Sequence, residues 1–254
     1  MFGENKMSKI DGKVALVTGA NRGIGKAFVE ELLNAGATKI YATARQAKSL
    51  DGLVEKSNGR VVPVILDVTK VETIKAAAKL YTDVDLLINN AGIAAFAGLV
   101  TANDVNPARD EMETNYFGVI NMIKAFAPIL AANGGGAIIN ISSIAAHVNF
   151  PALGSYSASK AAVHSLTQGV RSELAGQGTK VFGVYPGPVD TEMAANFPMD
   201  KTSPNVVAKV VLDAIDAGEE DIYPDPVAVE MHGALLNDPK AVEKQVGENF
   251  AVQA

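Results

Sequence analysis

The chain has 254 residues, 48% of them apolar and 20% charged, with a net charge of −6 and no cysteine. That length suits one large α/β domain with a sizeable buried core. The acidic balance, without any basic block, argues against a nucleic-acid surface, and the missing thiols exclude disulfides and thiolate metal sites.

The N-terminal "MFGENKMSKIDGK" is polar and lacks the apolar stretch of a secretion signal. No apolar run approaches the length of a bilayer span. A cytoplasmic protein without membrane attachment and without a metal is expected. "KVALVTG" (13–19) reads as a buried strand, and "TGANRGIG" (18–25) leads from it into the helical pattern "IGKAFVEELLNAG". A tight strand-to-helix turn needs glycine where φ is positive or where a ligand meets the backbone. Gly19 would make the turn, Gly23 would admit a pyrophosphate, and Gly25 would let the helix sit close to the sheet. The helix N-terminus beyond offers free N–H groups and a positive dipole end to that phosphate.

The second strand, "KIYATA" (39–44), ends in Ala44, where an NAD site would carry an acid for the ribose 2′-hydroxyl. Arg45 follows, and Arg22 in the glycine-rich turn can approach the same point. Two cations and no carboxylate suit a 2′-phosphate, hence NADP(H). The third strand, "VVPVILDV" (61–68), brings Asp67 to its end, as a candidate for the adenine amino group or for the cap of a helix near Lys70.

The fourth strand, "VDLLINN" (84–90), runs into "NNAG" (89–92), again small residues where backbone must approach something. A long helix over about 103–132 then contains Asn115, which is mildly unfavourable there and needs either solvent or a polar task. "GAIINIS" (136–142) is the fifth strand, and Ser142 and Ser143 stand at its end, where open α/β sheets bind ligands. The helix "YSASKAAVHSLTQGVRSELAG" puts Tyr156 and Lys160 on one face. "KVFGVYP" (180–186) is the sixth strand, with Pro186, Gly187 and Pro188 fixing a loop on the same edge, and "EDIYP" (220–224) is the seventh. Strands regularly separated by helices imply a doubly wound parallel sheet in one domain, 1–254, with looser ends at about 1–9 and 240–254.

"TGANRGIG", "NNAG", Asn115, Ser143, "YSASK" and "YPGPVDT" stand in the order and spacing of the short-chain dehydrogenase/reductases, which the chain resembles over about residues 11–225. The resemblance implies a single-domain Rossmann fold with a seven-stranded parallel sheet, followed by a helical tail over about 226–254. It implies a catalytic set of Asn115, Ser143, Tyr156 and Lys160. Cofactor contacts would come from Gly19, Asn21, Arg22, Gly23, Ile24, Arg45, Asp67, Val68, Asn90, Ala91, Gly92, Tyr156, Lys160, Pro186, Gly187, Val189 and Thr191.

Tyr156 would protonate a carbonyl oxygen as hydride reaches the carbon. A nearby Lys160 ammonium would lower the phenol from its ordinary value of about 10 towards the working range. Ser143 would hydrogen-bond the substrate oxygen. By resemblance, Lys160 would also hold the nicotinamide ribose, and Asn115 would position a water between Lys160 and solvent.

The expected reaction is NADPH-dependent reduction of a small or medium apolar ketone or aldehyde to an alcohol. An NAD-linked alcohol dehydrogenase of the same family and a non-catalytic NADP-binding sensor are the alternatives. A sugar-nucleotide epimerase would need a longer C-terminal domain. His147, Phe150, Phe96, Met193 and Phe197 are candidates for the substrate pocket, under a short lid formed by "TEMAANFPMDKTS". The polar tail "VAVEMHGALLNDPKAVEKQ" departs from the glycine-rich ending of the tetrameric acyl-carrier reductases. A homodimer is expected, with a homotetramer as the alternative, because the helices near 103–132 and 155–175 carry apolar residues on more than one face: Phe117, Ile120, Ile123 and Phe126, then Ala161, Val163, Leu166 and Val170.

Overall fold

The seven β-rich runs become seven parallel strands of one sheet: Val14–Val17 (β1), Lys39–Ala44 (β2), Val61–Ile65 (β3), Leu86–Asn89 (β4), Gly136–Ile141 (β5), Thr179–Val184 (β6) and Asp221–Ile222 (β7). A computed structural model describes residues 9–251 and gives the strand order β3-β2-β1-β4-β5-β6-β7. Central strands are apolar throughout because helices cover both faces of the sheet, and all four residues of β4 are buried. β3 lies at the edge. That position tolerates Pro63, which cannot donate to a ladder, and leaves Ile65 exposed.

Helices Gly23–Asn34 (α1) and Pro204–Ala217 (α7) cover one face, where Phe28, Leu32, Val207 and Val211 pack on Val17 and Ile88. The short Asp51–Glu55 (α2) follows β2. On the other face lie Val71–Leu80 (α3), the run Asn106–Glu111 (α4) to Gly118–Ala132 (α5), and Gly154–Leu174 (α6). Ile74, Met122, Phe126 and Leu130 bury there against Leu16, Leu87 and Ile138. Pro226–Asn237 (α8) and Pro239–Ala251 (α9) follow β7.

Several expectations need correction. The helix expected from 103 begins at Asn106 and contains a π-helical turn, Met112–Phe117, before α5. Asn106–Ala132 has the length and mean hydropathy, 1.2, of a bilayer span, which a search for unbroken apolar runs overlooked because Asn115 and Asn121 interrupt it. Its apolar side is spent on the sheet, with Val119, Met122, Ile123, Phe126 and Leu130 buried. The same burial takes three of the eight residues read as a partner surface: Ile123, Phe126 and Val163 are core, while Phe117 is exposed.

The tail from 240 is not loose. α9 anchors through Val242 and Val246, which are buried with Val148 against Phe150, Met231 and Leu235. Two valines one turn apart in a polar stretch are a weak sequence signal, so the anchor was missed. At the other end, the Lys9 N–H bonds Asp216 Oδ1 at 2.9 Å. The rest of the expectation for 1–9, and that for 252–254, falls outside the described residues.

Candidate active site

β1 has β2 on one side and β4 on the other, so the crossovers leave its carboxyl end in opposite directions and a crevice opens there. It is a cleft of about 1330 Å³. Every residue the resemblance named as a cofactor contact, from Gly19 to Thr191, lines it, and so does Ser143. Asn115 does not line it; it lies behind the wall.

At the glycine-rich end, Gly19 has φ +63°, and a Cβ there would come within 3.0 Å of the Ala91 Cα. A Cβ at Gly25 would collide with the Gly19 carbonyl and the Asn90 amide, so α1 does sit hard against the turn. Thr18 Oγ1 accepts the N–H groups of Asn90 (2.9 Å) and Ala91 (3.0 Å), and Asn90 Nδ2 donates to the Thr18 carbonyl at 2.9 Å. The Asn90 side chain thus ties β4 to the turn. α1 begins at Gly23 without a side-chain cap, which leaves its first-turn N–H groups for an anion.

The two arginines part company. Arg22 lines the cleft and is ion-paired with Glu192, on the loop after β6, with both side chains exposed. Arg45 stands exposed at the end of β2, close enough to Asp67 for its charge to act on that carboxyl. Burial works to raise Asp67, but hydrogen bonds from the Thr69 N–H (3.0 Å) and hydroxyl (2.8 Å), with the charges of Arg45 and Lys70, hold it below the ordinary range. The carboxyl makes that turn and does not cap α3, whose N-cap position is Lys70.

At the other end, Ser143 Oγ accepts the Ala145 N–H at 3.1 Å, which starts a 3₁₀ turn and fixes the hydroxyl beside Tyr156. Lys160 is buried, and its Nζ donates to the Ile141 carbonyl at 2.8 Å, 5.6 Å from the centre of the Tyr156 ring. Asn115, in the π-helical turn, bonds both polar groups of Ile93 at 2.9 Å and donates to Ser159 Oγ at 2.9 Å. The polar task wins over solvent exposure for this mid-helix asparagine.

The expected lowering of Tyr156 does not occur. Burial pushes the phenol up to about 12, with the Ser143 hydrogen bond opposing and the charge of Glu111 adding to the rise. Burial likewise draws Lys160 down to about 8. The lysine spends its ammonium on a backbone carbonyl and crosses the ring face instead of meeting the hydroxyl.

Phe96, Phe150, Met193 and Phe197 line the cleft as expected, and α8 and α9 add Val227, Met231 and Val246. His147 does not line it. Its ring packs 4.7 Å from His164 and 4.6 Å from Tyr185, and its Nε2 lies 3.3 Å from the Tyr223 hydroxyl. Burial, then the like charges of His164 and His232, hold it down at about 4. Sequence reasoning also missed the buried chain Asn89–Asn140–Thr167 beneath the site and Glu111. Both lie where only tertiary packing makes a polar residue significant.

The short chain dehydrogenase family model matches residues 13–202. A short-chain dehydrogenase from Burkholderia cenocepacia, solved in complex with NADP, is 44% identical with a TM-score of 0.89, covering 93% of this chain and 98% of that one. An NADP-dependent 3-hydroxy acid dehydrogenase of Schizosaccharomyces pombe is 29% identical over 91% of this chain and 97% of its own. A 3-oxoacyl-(acyl-carrier-protein) reductase of Thermotoga maritima is 33% identical over 84% and 88% respectively.

Proposed function

The chain belongs to the short-chain dehydrogenase/reductase family and is an oxidoreductase, and from that premise we propose that it uses NADPH to reduce the carbonyl of a small or medium apolar ketone or aldehyde. The observation that carries the reading is Tyr156, a phenol that burial pushes up to about 12, beside Ser143 in a cleft lined by Phe96, Phe150 and Phe197.

The residues fit a dinucleotide. The uncapped start of α1 and the turn in which no Cβ fits at Gly25 suit a pyrophosphate. Arg45, after an alanine in place of an acid, suits a 2′-phosphate. When bound, NADPH supplies the hydride for the carbonyl carbon. Tyr156 gives its proton to the oxygen as charge builds there, and Ser143 shares that charge by a hydrogen bond. A phenol with its pKa raised still donates readily to a nascent alkoxide, which is far more basic. Lys160 would hold the ribose hydroxyls. Asn115 Oδ1 and Lys160 Nζ stand 3.1 and 3.6 Å from the place a Gly92 Cβ would take, a gap suited to a water linking them.

One observation favours an NAD-linked dehydrogenase as the second reading: Glu192 occupies Arg22 and leaves a single arginine for the phosphate. The test is oxidation of NADPH and of NADH against a panel of apolar ketones, aldehydes and 3-oxoesters, the last because two relatives are named for 3-hydroxy or 3-oxo acyl compounds. Turnover with NADPH on apolar carbonyls supports the proposal. Turnover with NADH at equal or greater efficiency supports the second reading.

A further inference from the structure

Glu111 is a buried acid to which the reaction above gives no part. It closes α4, fully buried, and its Oε1 accepts the Ala95 N–H at 2.7 Å. Its Oε2 is one of two buried side-chain oxygens without a hydrogen-bond partner among the described residues. An orphaned acceptor of this kind needs a reason.

Four positions on, Asn115 takes both polar groups of Ile93. Two side chains from one stretch of helix therefore grip the backbone just after β4, and a π-helical turn, a local widening common at functional sites, includes the second. Phe96, which follows Ala95, has φ +52°, a conformation rare for a bulky side chain and maintained only by its surroundings. Its ring meets Phe197 edge to face at 5.6 Å where both line the cleft.

We propose that Glu111 is a positioning residue for the reaction: with Asn115 it fixes residues 93–96 as a strap that presents Phe96 as a wall of the substrate cleft. The proposal rests on the carbonyl reduction proposed above. α4, which carries Glu111, packs on α6, the helix of Tyr156 and Lys160.

The test compares Glu111→Gln with Glu111→Leu. The glutamine keeps an acceptor for the Ala95 N–H but loses the charge; the leucine loses both. In Glu111→Gln the KM for a bulky apolar ketone should stay within about threefold of the parent's. In Glu111→Leu that KM should rise about tenfold while the Kd for NADPH stays within about twofold. An unchanged KM in the leucine variant, or a KM raised equally in both variants, overturns the proposal. If the leucine variant does not fold, Phe96→Ala, which removes the wall and leaves the buried acid in place, should raise the same KM, and an unchanged KM there overturns the proposal. If the parent reduces no carbonyl, the proposed function fails by itself, and hydrogen exchange at the Ala95 N–H, faster in Glu111→Leu than in Glu111→Gln, still judges Glu111.

Discussion

Replacing Lys160 by methionine should stabilise the protein while abolishing turnover. Lys160 is only 5% exposed, and burial alone draws it from its ordinary 10.5 to about 8. By linkage, keeping that side chain charged inside the fold costs about 3 kcal/mol below pH 8. Methionine follows the same unbranched path without a charge. It forfeits the hydrogen bond to the Ile141 carbonyl, worth about 1–2 kcal/mol with the stranded acceptor included. The net gain is about 1–2 kcal/mol, at roughly 2–4 °C in Tm per kcal/mol for a chain of this size.

The sign of the pH dependence follows from the lowered folded pKa. Between about 8 and 10.5 the unfolded chain holds a proton that the folded one has released, so the parent gains stability as pH rises through that interval. Thermal melts of both proteins from about pH 7 to about pH 10 should therefore show the methionine variant ahead at neutral pH and the gap closing on the alkaline side. A variant that melts below the parent at neutral pH, or a gap indifferent to pH, would refute the burial cost assigned to Lys160.

Arg45→Ala should lower kcat/KM for NADPH by about ten- to a hundredfold and leave NADH nearly unchanged, whereas Glu192→Gln should free Arg22 and lower KM for NADPH; steady-state comparison of the two cofactors at low salt checks both. Because Tyr156 is held at about 12, alcohol oxidation, which needs the tyrosinate, should climb with pH from neutrality, while reduction, which needs the phenol, should not; parallel pH profiles in the two directions would count against the donor role. A homodimer through α5 and α6 should give a sedimentation coefficient that falls on dilution or on Phe117→Glu, since Phe117, in the turn that leads into α5, is 45% exposed. A monomer at every concentration would remove the dimer.

The strands were legible because a parallel sheet covered on both faces needs unbroken apolar runs, as in "VALV" and "LLIN". The phosphate turn was legible because Gly19 and Gly25 have no substitute once backbone lies that close. What escaped depends on partners distant in sequence or on burial. Arg22 reads as a phosphate ligand, and its ion pair with Glu192, 170 residues away, has no local signal. His147 reads as a pocket residue until the other two histidines gather around it. The Tyr156–Lys160 pair reads as an ion-assisted acid, but burial raises the phenol and lowers the amine. Glu111 carries no distinguishing local signal in "ARDEMETN", and only packing reveals it as buried.

The most direct test of Tyr156 as the proton donor is single-turnover reduction of an accepted apolar carbonyl by bound NADPH in the parent and in Tyr156→Phe, with the Kd for NADPH measured alongside. The phenylalanine variant keeps the ring and the helix and loses only the hydroxyl. Its rate should fall by about a hundred- to ten-thousandfold while NADPH binds with nearly the parent's affinity. A variant that turns over within a few-fold of the parent would contradict it.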